Sequence, residues 1–164
     1  MQRVYHFLAV LFISVFVNAQ VFNQAIADEI QKVDSVINLL INYENIGPKP
    51  TGSPALVETL EWIIENYKDY GYVPIIDTFK LGSIESYNII IEKQGSIPNQ
   101  WIIIGAHYDS VEESPGANDN GTGVISTLQI ARLINDLNPR IGVRIINFGA
   151  EEQGFIGSSH YVRN

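Results

Sequence analysis

His107 and Asp109 stand two positions apart where the apolar run 101–106 gives way to a loop, which continues through Pro115-Gly116-Ala117-Asn118-Asp119-Asn120-Gly121. A second apolar run, residues 141–150, ends on the acidic pair Glu151-Glu152. Imidazole and carboxylates at the mouths of two buried segments are the donor types that hold zinc when no thiolate is available, and this chain has no cysteine. Asp109 can orient the His107 ring through its second nitrogen. Each residue also has a plainer explanation. A lone histidine is usually structural, Asp119 could cap the helix that follows it, and Glu151-Glu152 could be a solvated pair. Together they fit a metal site better, because adjacent like charges at the edge of an apolar core are costly without a cation. One glutamate can bind the metal while its neighbour, near the metal but not on it, takes a proton from water.

For His107 and the glutamates to meet, the strands carrying them must end on the same side. Ligands in open α/β sheets bind beyond the carboxyl ends of parallel strands. The surrounding pattern supplies such strands. Residues 22–43 read as an amphipathic helix with Ile26, Ile30, Val33, Ile37 and Leu40 in one stripe. A second helix, 54–70, is opened by Ser53 and Pro54, carries Leu56, Leu60, Ile63 and Tyr67 on one face, and is closed by Gly71. Strands are predicted over 73–81 and 87–93 around a turn at Gly82-Ser83. The run 101–106 has no polar alternation and suits a strand covered on both faces. A helix over 121–136 leads to a core strand over 141–148, and a last helix begins near Ser158. The two strands bracketing helix 121–136 should be parallel. The order is that of an α/β domain.

The chain has 164 residues, 46% of them apolar, and a formal net charge of −8. That suits a globular domain and offers no basic stripe for nucleic acid. Arg3, the apolar run 7–17 and the small residue Ala19 form the three parts of a signal peptide over residues 1–19, with cleavage before Gln20. The run is too short for a spanning helix, so after cleavage no membrane association is predicted. The mature protein is predicted to be secreted or periplasmic.

Three segments carry a resemblance: Gly-Ala-His-Tyr-Asp-Ser from Gly105, Pro-Gly-Ala-Asn-Asp-Asn-Gly-Thr-Gly-Val from Pro115, and Phe-Gly-Ala-Glu-Glu-Gln-Gly-Phe-Ile-Gly-Ser from Phe148. In order and spacing they resemble the leading motifs of metallopeptidase family twenty-eight, the co-catalytic dizinc aminopeptidases, with glutaminyl cyclases as single-zinc relatives. The resemblance implies a three-layer α/β/α fold with a mixed, partly parallel sheet of the phosphorylase/hydrolase-like type. It implies a peptide substrate and Zn2+, two ions per complete site. His107 would bind one zinc, Asp119 bridge both, and Glu152 bind the second. Glu151 would be general base and acid, with Asp109 supporting His107, and the Asp119–Asn120 bond would be cis. The family also uses an acidic ligand on a later strand and a histidine further on. His160 is too close to Glu152 to be that histidine and reads as structural or surface. Residues 20–164 are therefore expected to be the N-terminal part of a catalytic domain, truncated at the C-terminus and inactive alone. Two other functions compete with the aminopeptidase: a single-zinc glutaminyl cyclase and a non-catalytic binding module.

Overall fold

A computed structural model describes residues 33–164, together with residues 27 and 28. The signal-peptide reading and the start of the first predicted helix lie outside the described residues. Helix α1 (Val33–Asn45) is followed by α2 (Pro54–Asp69), strands β1 (Ile75–Leu81), β2 (Ile84–Lys93) and β3 (Trp101–His107), then helix α3 (Thr122–Ile134), strand β4 (Gly142–Phe148) and helix α4 (Ile156–Arg163). Among the described residues, no helix is long and apolar enough to cross a membrane.

The sheet runs β1-β2-β4-β3. β1 and β2 form an antiparallel hairpin, β2 pairs antiparallel with β4, and β3 pairs parallel with β4. The mixed sheet and the parallel β3–α3–β4 unit agree with the sequence reading. The pleat divides β2 cleanly. Ile89 and Ile91 point into the core with α2 and α3, whereas Asn88 points to the other face and meets α4. Helices on both faces make the fold three-layered.

Helix α2 shows why the local signals were strong. The Ser53 hydroxyl accepts a hydrogen bond from the Leu56 amide at 3.1 Å, Pro54 takes the first helical position, and Leu56, Leu60, Ile63 and Tyr67 are all buried. Gly71 (φ +87°) follows the helix in the left-handed region, its amide donating to the Lys68 carbonyl.

Two expectations need correction. In α1 the core-facing residues are Val36, Leu39, Leu40 and Tyr43, and Ile37 is 49% exposed. The buried arc is set by Tyr43, whose ring packs beside Trp62 of α2 and whose hydroxyl donates to the Tyr108 carbonyl at 3.0 Å. That rotates the stripe one residue away from Ile37. The second correction concerns β3. It is not covered on both faces: it lies at the sheet edge, with Ile102 and Ile103 about half exposed at 50% and 54%. α3 covers Ile104 and Ala106, but α4 packs on the β1–β2 side and leaves the opposite face of β3 open. Smaller differences are at boundaries: β1 starts at Ile75, β2 at Ile84, and α4 at Ile156.

A polar post stands under the end of β4. The buried Asn88 side chain donates to the Asp77 carboxylate and the Gly157 carbonyl, both at 3.0 Å, and accepts from the Gly149 amide. Gly157 permits this contact, because a Cβ there would lie 2.2 Å from the Gly149 carbonyl oxygen and 2.5 Å from Asn88 Oδ1. Gly157→Ala is expected to cost about 1–3 kcal/mol of stability through overpacking against backbone that cannot swing aside. Urea unfolding would measure it, and an unchanged midpoint would count against this reading. The fold thus fixes the base of residues 149–157, the segment that carries Glu151 and Glu152.

Candidate metal centre

The register brings the predicted residues together. His107 is the Cα partner of Phe148 at the carboxyl ends of the parallel pair β3/β4, and the Tyr108 amide donates to the Phe148 carbonyl at 2.9 Å. Glu151 therefore lies only three residues past a point held beside His107. Ala150 between them is fully buried and left-handed at φ +54°, a rare conformation for a residue with a Cβ. It turns the chain so that the next two amides face back toward the β3 loop.

Those amides meet Asp109. Its buried carboxylate accepts from the Glu151 amide at 3.0 Å and from the Glu152 amide at 3.1 Å, one on each oxygen. The sequence reading gave Asp109 a different main contact. On the Nδ1 side of His107 the nearest acceptor is the Asp109 backbone carbonyl at 3.2 Å, and the carboxylate is further off at 3.6 Å. Asp109 thus touches both halves of the site: its main chain steadies the imidazole and its side chain tethers the glutamate pair. Nothing in the sequence distinguishes this from simple histidine support, because the tether depends on the turn at Ala150.

A proton on Nδ1 donating to that carbonyl leaves Nε2 turned toward the carboxylates. Nε2 is 3.0 Å from Asp119 Oδ1 and 3.8 Å from Glu151 Oε2. Among the described residues, His107, Glu151 and Glu152 form a group whose candidate ligand atoms all lie within 4.8 Å of one another. Asp119 stands against His107 but outside that group, and its side chain is 79% exposed. Burial acts to lower the His107 pKa; the Asp109 and Asp119 carboxylates, with Glu151, outweigh it and raise the imidazole to about 9. Burial raises the Glu152 carboxyl, helped by its neighbours Asp119, Glu151 and Asp109 and opposed by His107. Asp109, Asp119, Glu151 and Glu152 thus gather negative charge around one imidazole.

The competing explanation for Asp119, a helix cap, does not hold. Asn120 does that work, its Oδ1 accepting from the Gly123 amide at 3.1 Å, while Gly121 occupies the cap position of α3 without a side-chain bond. Asp119 (φ −119°, ψ 93°) is non-helical within the turn Ala117–Gly121. The Asp119–Asn120 peptide is cis, as the resemblance implied. His160 stays out of the centre. It lies 3.1 Å from the Asp77 carboxylate and against the Phe79 ring, in the structural role read for it.

The model of peptidase family M28 matches residues 88–164. An aminopeptidase of Pseudomonas aeruginosa (strain UCBPP-PA14) is 46% identical over 80 residues, which cover 49% of this chain and 15% of that protein. Two solved structures share the fold. The aminopeptidase from Aneurinibacillus sp. strain AM-1 superposes with a TM-score of 0.72 at 19% identity, covering 83% of this chain and 68% of its own. The glutaminyl cyclase of Fimbriiglobus ruber gives 0.70 at 21%, covering 79% and 54%. The chain spans between 15% and 29% of the length of these curated relatives.

Proposed function

Because the chain belongs to peptidase family M28, we propose that it contributes the metal-binding and proton-transfer residues of a zinc aminopeptidase that cleaves the peptide bond next to a free amino terminus. One observation carries this reading: His107, Glu151 and Glu152 gather within 4.8 Å at the ends of β3 and β4, with Asp119 against Nε2 of His107. The donor set suits zinc, with one imidazole nitrogen, several carboxylate oxygens and no thiol. We infer two zinc ions per complete site, which His107, Asp119 and Glu152 would help to hold. Bound zinc would polarise the scissile carbonyl and make water a stronger acid. The chain's own residues then divide the work. Asp109 holds the Glu151-Glu152 backbone and its carbonyl fixes the His107 ring. Glu151, partly open to solvent at 26% side-chain exposure, takes a proton from the attacking water and returns it to the leaving amine.

The glutaminyl cyclases share the fold at low identity, whereas the sequence relative at 46% is an aminopeptidase. This favours hydrolysis over cyclisation. From the signal-peptide pattern of residues 1–19 we further infer that the protein is secreted or periplasmic.

The test uses the complete gene product expressed with its own leader. It should be recovered outside the cytoplasm beginning at Gln20. It should release free amino acids from unblocked peptides, lose that activity to a chelator and regain it with zinc. Loss of ammonia from amino-terminal glutamine without hydrolysis would establish the cyclase instead. A zinc-loaded protein doing neither would overturn both enzymatic readings and leave a binding module.

A further inference from the structure

Lys49 is fully buried, and no ion pair to it is present among the described residues. Its ammonium donates to the Gly47 carbonyl at 2.7 Å and the Pro115 carbonyl at 2.8 Å, and sits 3.9 Å from the centre of the Tyr43 ring. Burying a cation without a carboxylate is expensive, and carbonyls plus an aromatic face only partly compensate. Its pKa falls to about 8 through desolvation, partly opposed by Glu44. An apolar side chain of that length would avoid the cost, so the charge calls for a use.

What the ammonium holds is the start of the loop that delivers Asp119. The Lys49 main chain pairs with the same loop, its amide donating to Ser110 Oγ at 2.9 Å and its carbonyl accepting from the Ser110 amide at 3.1 Å. Ser110 Oγ in turn donates to the Ser114 carbonyl at 2.8 Å. Gly116, one residue past the Pro115 carbonyl, is packed so that a Cβ would lie 2.7 Å from the Asp119 carbonyl oxygen, and its own carbonyl accepts from the Gly121 amide at 2.8 Å. A continuous chain of contacts therefore runs from Lys49 through Pro115 and Gly116 to Asp119, whose exposed side chain has few other restraints.

We propose that Lys49 is a positioning residue, a buried cationic clamp that sets the 110–121 loop and so places the Asp119 carboxylate against His107. The proposal rests on the metal-site reading above but not on which reaction the site performs. Lys49→Met keeps the apolar stem and removes the donor, while Ser110→Ala loosens the same loop without touching the buried charge. Zinc is titrated into the metal-free complete gene product by calorimetry, and amide hydrogen exchange is followed in parallel. Lys49→Met is expected to weaken zinc binding by about tenfold or more, on the scale of a lost hydrogen bond to a charged group. It should also speed exchange in residues 110–121 with the 54–69 helix unchanged. Ser110→Ala should show the same pattern to a smaller degree, and carries the test if the methionine variant does not fold. Tyr67→Phe, a core change away from the loop, should do neither. The proposal fails if both loop variants keep wild-type zinc affinity, or if zinc binding weakens without faster loop exchange. It also fails if Tyr67→Phe weakens zinc as much. A wild-type protein that binds zinc but hydrolyses nothing would defeat the aminopeptidase reading and leave the clamp standing.

Discussion

In the complete gene product, Glu151→Gln is expected to lower kcat by about 10²–10⁴-fold, the usual contribution of a positioned general base, with zinc content and KM nearly unchanged. The amide is nearly isosteric with the carboxylate and keeps its hydrogen-bonding oxygen, so the Asp109 tether to the Glu151 main chain survives. What is lost is the ability to accept a proton. On the proposed reading Glu151 is the base: its Oε2 lies 3.8 Å from His107 Nε2, and its side chain is partly open to solvent. Glu152→Gln makes the comparison sharp. If Glu152 is the ligand, that variant should lose metal before it loses chemistry. Hydrolysis of an aminoacyl nitroanilide, read together with zinc content, decides between the roles. A Glu151→Gln enzyme that loses zinc, beside a Glu152→Gln enzyme that keeps zinc and loses turnover, would exchange the two assignments.

How far the sequence could reach depends on whether an interaction is local. The α2 stripe and its Ser53 cap were legible because both are set within a few residues. The parallel β3–α3–β4 unit followed from one crossover helix, and it was enough to bring His107 beside the glutamates. Position within the sheet was not legible. β2 inserts beside β4 and leaves β3 at the edge, a long-range choice that the apolar run 101–106 does not encode. The same limit hid the buried network in which Tyr67 donates to Asn147 Oδ1 at 2.6 Å and Asn147 donates to Thr127 at 2.9 Å. Asn147 reads as one polar residue at the end of a core strand, and its partners lie 80 and 20 positions away. The residue types of the candidate metal centre were readable. The supports that aim them, the Asp109 tether and the Asn120 cap, depend on turns at Ala150 and at residues 116–121 that no periodicity announces.

The tether makes the second large prediction. Asp109→Asn should weaken zinc binding by about 10–100-fold, the range seen when groups that orient metal ligands are changed, and activity should fall with it. The wild-type carboxylate offers one oxygen to each of two amides, and both it and the strand end are buried. An asparagine can satisfy one amide with its carbonyl oxygen but sets an NH2 group against the other, leaving two donors face to face. Hydrogen bonds to a charged acceptor contribute about 1.5–3 kcal/mol, and an unsatisfied buried amide costs about 1–3 kcal/mol. The substitution therefore acts on the Glu151-Glu152 backbone more than on the fold as a whole. The same change removes a negative charge 3.6 Å from His107 Nδ1, one of the groups that raises the imidazole. Asp109→Ala removes both acceptors and should be worse. Calorimetric zinc titration of the two variants against wild type measures the effect. Zinc affinity within about threefold of wild type in Asp109→Asn, in a protein whose stability has not changed, would show that the glutamate pair holds its place without the tether. Asp109 would then be left with only its main-chain contact to His107.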